Sequence, residues 1–173
     1  MKQYQIKILS NESESFIMDI VAQETLSFLD LHQGIQTALD YDPLQMASFF
    51  LSNGEWEKGT EITAINMGED ELVLMEDSLL GEYIKEENDK LLYVYDFFSE
   101  RAFFLFISKI EDVENANFTI NVKGEVPLQI VIDMEGIDEI STAKNEITLD
   151  EFDDFDEDEN WNENISIDDL EDY

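Results

Sequence analysis

The chain has 173 residues and carries 43 Asp and Glu against nine Lys and Arg, which gives a formal net charge of −34. This charge repels phosphate backbones and anionic lipid surfaces, so we expect neither direct nucleic-acid binding nor membrane-surface binding. Cysteine is absent, which excludes disulfide scaffolds, zinc ribbons and thiol nucleophiles. Hydrophobic residues at 43% and aromatic residues at 12% predict a folded core.

The start of the chain predicts a β-hairpin. In "QYQIKIL", the apolar residues Tyr4, Ile6 and Ile8 alternate with polar residues, as on a strand with one buried face. "SNES" supplies turn residues, and "SFIMDIVA" predicts the second strand. This start lacks the apolar segment of a signal peptide, and no run approaches the ~18 apolar residues that span a bilayer. We therefore expect a cytoplasmic protein.

A helix is predicted over "TLSFLDLHQGIQTALDY", residues 25–41, because its apolar residues recur at helical spacing. Thr25 is the predicted cap at its start, and Asp42-Pro43 is predicted to stop it. Gly34 lies inside this helix, where glycine costs about 1 kcal/mol relative to alanine.

The elements that follow are shorter. The sequence predicts a buried strand in "MASFFLS", a turn and a weaker strand in "NGEWEKGTEIT", a short strand in "ELVLM" and a short helix in "DSLLGEYIKEE". Two further strands, Leu91–Phe97 and Arg101–Ile110, are joined by "FSER". The second is nearly continuously apolar, which predicts a central strand covered on both faces. "NFTINVKGEVPLQIVI" adds a last extended segment.

The order of these elements predicts an α+β fold. We expect a mixed or mostly antiparallel sheet with two to three helices, and the strand–strand–helix start suits a β-grasp-like arrangement. Residues 1–144 are predicted to form this domain, and residues 145–173 to form an acidic tail that is disordered or docked.

The tail combines charge with scattered apolar residues. It has 14 acidic residues among 29 and no Lys or Arg, yet it contains Phe152, Phe155, Trp161 and Leu170. A purely solvating tail needs no such residues, so we predict that they bind a partner or the domain. Its "DDFDEDEN" stretch does not match a calcium-binding EF-hand loop, because Gly and Glu are missing at the required positions. Only weak divalent cation binding is expected.

No cofactor, metal or catalytic residue is predicted. His32 is the only histidine, and no Gly-x-Ser-x-Gly turn, P-loop or HExxH motif accompanies it. We interpret His32 as a structural residue at the edge of the apolar stripe of the helix, and enzymatic activity is not expected.

Asp96 and Arg101 are the candidate interaction residues of the folded domain. Asp96 stands between Tyr95 and Phe97, where a strand otherwise calls for a buried apolar side chain. Its carboxylate is expected to accept hydrogen bonds from backbone N–H groups of the "FSER" turn, or to pair with Arg101 across that turn.

Three segments together resemble the plasmid pRiA4b ORF-3-like family. "TLSFLDLHQGIQTALDYD" is similar to its Leu-x-x-Leu-His-x-x-Ile-Gln-x-Ala helix, "LQMASFFL" to its His-Leu-x-x-Phe strand, and "YVYDFFSERAFF" to its Tyr-x-Tyr-Asp-Phe-Gly-Asp-x-Trp hairpin. "GEVPLQ" stands where the family often has Gly followed by Pro-Pro-Glu-Asp. The resemblance implies an α+β domain that is often encoded near plasmid or transposon genes, with no established activity.

The chain departs from the resembled pattern at mostly polar positions. Phe98, Ser99 and Arg101 replace Gly, Asp and Trp after the shared Tyr-Asp-Phe, and Gln129-Ile130 replaces the acidic pair after Pro127. We interpret this as retention of the framework with loss of the polar half of any site at the turn.

The sequence supports three hypotheses for the function. The first is a non-enzymatic protein–protein interaction module that binds a basic partner through its acidic surface and tail. The second is a DNA mimic or mobile-element accessory protein, because a dense array of carboxylates imitates the charge spacing of duplex DNA. The third is a metal-dependent hydrolase that uses clustered carboxylates, with Asp96 and His32 as candidate participants.

Overall fold

A computed structural model describes residues 1–65 and 72–130. In these residues the chain forms eight strands and two helices. They are β1 (Lys2–Ser10), β2 (Ile17–Gln23), α1 (Phe28–Leu39), β3 (Ser48–Ser52), β4 (Lys58–Thr63), β5 (Val73–Leu74), α2 (Leu80–Tyr83), β6 (Lys90–Asp96), β7 (Arg101–Asp112) and β8 (Thr119–Lys123).

The described strands form one sheet in the order β5-β4-β3-β6-β7-β1-β2-β8. All neighbours pair antiparallel except β4 and β5, which pair parallel through Ile62 and Val73. The predicted α+β class with a mixed sheet is therefore confirmed. The boundary predicted at residue 144 lies outside the described residues. Neither described helix has the length and apolarity needed to cross a membrane.

The β1–β2 hairpin follows the predicted alternation. Tyr4, Ile6 and Ile8 are buried on β1, and their neighbours along the strand are more exposed. Phe16, just before β2, and Met18 on β2 are buried on the same face, and Ile17 between them is only half-buried. Side chains on a strand alternate between its two faces, so this pairing register places one apolar face of the hairpin in the core and leaves Leu9 and Ile17 on the other face.

Helix α1 begins two residues later than predicted. Ser27, not Thr25, is its cap: Ser27 Oγ accepts a hydrogen bond from the Asp30 N–H at 3.0 Å, and Asp30 Oδ2 accepts one from the Ser27 N–H at 3.1 Å. This reciprocal capping box satisfies two backbone donors at once, which a cap by Thr25 would not do. The helix also ends before the predicted stop, because Asp40 takes a left-handed conformation with φ 57°. Tyr41 thereby leaves the helix and enters the core.

The core lies on the sheet face that α1 covers. Helix residues Phe28, Leu31 and Ile35 pack there against buried side chains of the central strands. On β7, Phe103 and Leu105 point into this core. Among the described residues, the opposite face carries a small cluster of buried residues, Phe50, Leu92 and Val94. The prediction that both faces of β7 are covered was therefore wrong. One face is buried, and the other is partly covered.

Two short elements differ from the sequence expectation in length. The helix predicted across residues 77–87 is a single turn, Leu80–Tyr83, attached to the start of α1 through the Phe28 N–H bond to the Ser78 carbonyl. The strand predicted in "ELVLM" is the two-residue β5. Both are too short to carry a strong periodic pattern, so tertiary contacts decide their limits.

Gly34 has a packing role that the sequence did not reveal. A Cβ at this position would lie 2.6 Å from the ring of Phe118 and 2.9 Å from the end of Ile120. Glycine therefore lets α1 approach β8 and the residue that precedes it. This close approach offsets the helix-propensity cost of glycine.

We expect Gly124→Ala to destabilise the protein by about 2 kcal/mol or more, because alanine is strained at a positive φ and a backbone oxygen cannot move aside. Gly124 has φ +81°, and a Cβ there would lie 1.9 Å from the Ser15 carbonyl oxygen. The measurement is urea unfolding. The matched control is Gly54→Ala, which meets nothing within 4 Å. Equal stability of the two variants would contradict this account.

Candidate functional site

A cleft of about 380 Å³ opens beside the turn between β6 and β7. Three parts of the chain line it: Leu44–Met46 after α1, the turn residues Tyr95–Ser99, and Gln129 with Ile130 at the end of the described chain. We call it the β6–β7 cleft. Its walls are the stretches "LQM", "YDFFS" and "QI", which come from three of the segments singled out in the sequence.

Asp96 fixes the backbone of the turn. Its Oδ1 accepts hydrogen bonds from the N–H groups of Phe98 and Ser99, both at 3.0 Å. Its Oδ2 lies 3.7 Å from Nη1 of Arg101. The hydrogen bond from the Ser99 backbone is the main cause that holds the pKa of Asp96 below its ordinary value of 3.8. Both contacts expected from the sequence are thus present, and the carboxylate is ionised at neutral pH.

Arg101 is enclosed and fully engaged. Its guanidinium binds the Glu12 carboxylate through two hydrogen bonds, Nε to Oε1 at 2.6 Å and Nη2 to Oε2 at 2.5 Å. It also donates to the carbonyl oxygens of Leu128 and Gln129. The side chain is 9% exposed, and its charged end lies over the Tyr95 ring. Arg101 therefore joins the β1–β2 hairpin to the wall of the cleft.

Gln129 joins that wall to the loop after α1. Its Oε1 accepts a hydrogen bond from the Asp42 N–H at 2.6 Å, and its Nε2 donates to the Asp42 carbonyl at 3.1 Å. Nearby, the Tyr41 hydroxyl donates to the Pro127 carbonyl at 2.6 Å. A side-chain amide that pairs with one residue's backbone in both directions sets its position and orientation together.

The rim of the β6–β7 cleft is apolar and exposed. Phe98 is 99% exposed and Leu44 is 88% exposed, although both are large hydrophobic residues. Further exposed hydrophobic residues that line the same cleft are Met46, Phe97 and Ile130, and the exposed Leu128 directly precedes the lining residue Gln129. Single exposed apolar side chains are ordinary, but a contiguous group beside a cleft marks a binding surface.

His32 lies in a different place. Its Nδ1 is 2.8 Å from the Tyr93 hydroxyl, and it is buried, as the structural interpretation expected. Burial lowers the pKa of His32, so the ring is neutral at pH 7. His32 lines a second cleft of about 340 Å³ that shares Leu44–Met46 with the first, whereas Asp96 does not line it. The hydrolase alternative thus lacks a common cleft for these two residues.

Metal ions are held by several ligating side chains that lie close together. Within residues 1–65 and 72–130, no three His, Asp or Glu side chains are grouped so that they could hold an ion. The "DDFDEDEN" stretch and the interaction candidates Phe152, Phe155, Trp161 and Leu170 lie outside the described residues.

Sequence reasoning singled out Asp96 and Arg101 but missed the partners that complete their network. Glu12 was a member of a predicted turn, and Asp42 and Gln129 are 87 residues apart in the chain. The family resemblance drew attention to the segment after Pro127, and this was the one indication in the sequence that Gln129 belongs to the site. No local pattern connects it to Asp42.

Comparison with known proteins identifies relatives without an assigned activity. A family model described as plasmid pRiA4b ORF-3-like protein matches residues 2–169. The chain is also similar to the crystal structure of a protein of unknown function, MM3350 from Methanosarcina mazei Go1, with a TM-score of 0.57 and 25% identity. That similarity covers 70% of this chain and 68% of the other. None of the curated proteins matches the sequence.

We expect Arg101→Lys to lower the free energy of unfolding by about 1–3 kcal/mol, because an ammonium group cannot reproduce the forked contact with Glu12 and the carbonyl oxygens. Urea unfolding measures the change. Lys109→Gln is the control, because it breaks an exposed ion pair with Glu111 and should leave stability unaltered. If Arg101→Lys is as stable as the native chain, the guanidinium does not hold the wall.

A second prediction concerns the pH dependence of stability. Unfolding exposes His32, which then binds a proton near its ordinary pKa of 6.5, whereas the folded state keeps the ring neutral to lower pH. The unfolded state therefore binds more protons in this window, and stability falls as the pH drops below about 6.5 towards the lowered pKa of the folded protein.

His32→Gln should reduce this slope between pH 7 and 5, because no other side chain type has an ordinary pKa in that range. Urea unfolding of both proteins at several pH values provides the comparison, and the carboxylates common to both supply the background. Identical slopes would show that His32 does not titrate differently in the two states.

Proposed function

We propose a function from one premise: the chain belongs to the plasmid pRiA4b ORF-3-like protein family. Membership of this family does not assign an activity to the chain. The similar crystal structure is described as that of a protein of unknown function. The function is therefore argued from the surface. The protein is a non-enzymatic protein–protein interaction module that binds a basic partner through its acidic surface and tail.

The observation that supports this proposal is the excess of carboxylates without a cationic neighbour. The described residues contain 22 Asp and Glu but eight Lys and Arg. In that part of the chain, ion pairs involve only four carboxylates, those of Glu12, Asp19, Asp96 and Glu111. The other acidic side chains therefore present negative charge that a basic protein can meet, and such complementarity speeds association.

The basic side chains are largely engaged within the molecule. Lys90 lies over the Trp56 ring and donates to the Gly54 carbonyl, and Lys85 donates to the Gly81 carbonyl. These contacts leave little positive charge to attract an acidic partner. Residues 131–173 add 18 acidic residues and one basic residue. A basic partner thus meets the same sign of charge along the whole sequence.

Three finer expectations belong to this proposal. The first is a cytoplasmic location, and the second is an accessory role near a mobile element, which the family resemblance suggested. The third is a β-grasp-like start, which is supported by the antiparallel pairing of β1 with β2 and by the burial of the next element, α1, in the same core.

The test is a pull-down with the full chain and with a chain that ends at residue 144. We expect basic partners in the first, reduced recovery in the second, and loss of both as the salt concentration rises, because screening weakens contacts between charges. A full-length variant with serine at Phe152, Phe155, Trp161 and Leu170 keeps the charge and removes the apolar residues. Comparison of this variant with the shortened chain separates the contribution of the tail's charge from that of its apolar residues.

The outcomes distinguish the alternatives. Recovery of the same partners by the shortened chain would remove the tail from the proposal. Partners that bind nucleic acid, and that duplex DNA displaces in a salt-dependent manner, would favour the DNA mimic. Recovery of no basic protein by the full chain would overturn the proposal.

A further inference from the structure

We propose that the β6–β7 cleft binds an apolar or aromatic side chain of a partner segment whose neighbouring residues are Lys or Arg. This inference rests on the proposed function and adds the place and the chemistry of the contact. Three properties of the cleft carry it: an exposed apolar rim, walls fixed before binding, and nearby carboxylates that no Lys or Arg of the described lining neutralises.

The rim supplies the apolar contact area. Phe98 stands fully exposed at the tip of the turn, and Leu44 faces it from the loop after α1, with Met46 and Ile130 completing the walls. Covering one such side chain removes apolar surface from water, which favours a complex before the costs of association are counted. Aromatic and Met side chains are also the residue types that interface centres favour.

The walls are held in place by the domain itself. Asp96 accepts two backbone hydrogen bonds that fix the turn, and Arg101 holds the carbonyl groups of Leu128 and Gln129. Gln129 in turn holds the backbone of Asp42. All three walls are therefore connected, and a partner does not have to order them. Preorganisation of this kind raises affinity because the entropy cost has already been met on folding.

The charge around the cleft selects the partner. Among residues 1–65 and 72–130, no Lys or Arg lines it, and the nearby Arg101 is 9% exposed and already paired with Glu12. The Asp96 carboxylate is already paired with Arg101. However, Asp42 lies two residues before the lining residue Leu44, and Glu100 directly follows the lining residue Ser99. Neither Asp42 nor Glu100 forms an ion pair among the described residues. Lys or Arg on either side of the inserted residue meets these carboxylates. A second copy of this chain would bring further negative charge to the same place, and charge repulsion disfavours it.

The probe is a synthetic peptide with a central phenylalanine–leucine–phenylalanine and two lysines at each end. The comparison peptide has the same lysines and three central serines. Both are titrated calorimetrically into the full chain at 0.15 M salt. We expect the apolar peptide to bind at least about tenfold more tightly with a single site, which corresponds to loss of one well-packed contact in the serine peptide.

Phe98→Ser should abolish this tenfold difference and leave the weak binding of the serine peptide unchanged, because the variant keeps every charge. Leu79→Ser is the matched control, since Leu79 is also exposed but does not line the cleft. Thermal unfolding of both variants checks that they fold. A photoreactive phenylalanine analogue at the centre of the apolar peptide should crosslink to residues 44–46, 97–99 or 128–130.

The remaining outcomes overturn the inference in distinguishable ways. Equal binding of both peptides, unaffected by Phe98→Ser, would leave the acidic-surface function and remove the cleft. Binding of neither peptide would count against both proposals. Equal binding of an apolar peptide with glutamate ends would refute the charge argument. A dimer in sedimentation that Phe98→Ser dissociates would identify a second copy as the occupant. If a chain that ends at residue 144 binds the apolar peptide much more tightly than the full chain does, the tail is the natural occupant of the cleft.

Discussion

The packing of aromatic rings around Phe103 is the constraint on which the described structure depends. The centroid of its ring lies 5.1 Å from that of Phe16, which directly precedes β2, and 4.5 Å from that of Tyr95 on β6. The ring centroids of Tyr41 and Tyr93 lie at 6.3 Å. These residues come from β6, from the position before β2, and from the chain just after α1. Because close-packed rings allow few arrangements, their contacts set the position of the helix end relative to β6 and β7.

The shape of the β6–β7 cleft depends on the same aromatic packing. Tyr95 has one side in the core and also lines the cleft, while Tyr41 contacts the core and donates to the Pro127 carbonyl. The turn that follows Tyr95 is fixed by Asp96, and the segment that follows Pro127 is fixed by Arg101. A surface site is thus built on residues whose other contacts belong to the interior, and this is how rigid sites are usually supported.

Arg101 and Gln129 change the interpretation of the departures from the family pattern. Both occupy positions where the resembled pattern has other residues, which suggested that polar function was lost at this turn. In the structure the two residues act on the same short segment: Arg101 binds its carbonyl groups, and Gln129 connects it to Asp42. The polar groups at these positions are therefore turned inward to build a wall, and the surface left to a partner is apolar with Phe98 at its tip.

Local chemistry by itself determined much of this protein. Alternation at period two placed Tyr4 and Phe16 in the core, and the turn-forming ability of a carboxylate foretold the hydrogen bonds of Asp96, because both depend on residues a few positions apart. Only the tertiary structure decided the parallel pairing of β5, the need for Gly34 beside Phe118, and the contact of Gln129 with Asp42. These features depend on side chains and strands that are distant in sequence, and their geometry exists only after the core has packed.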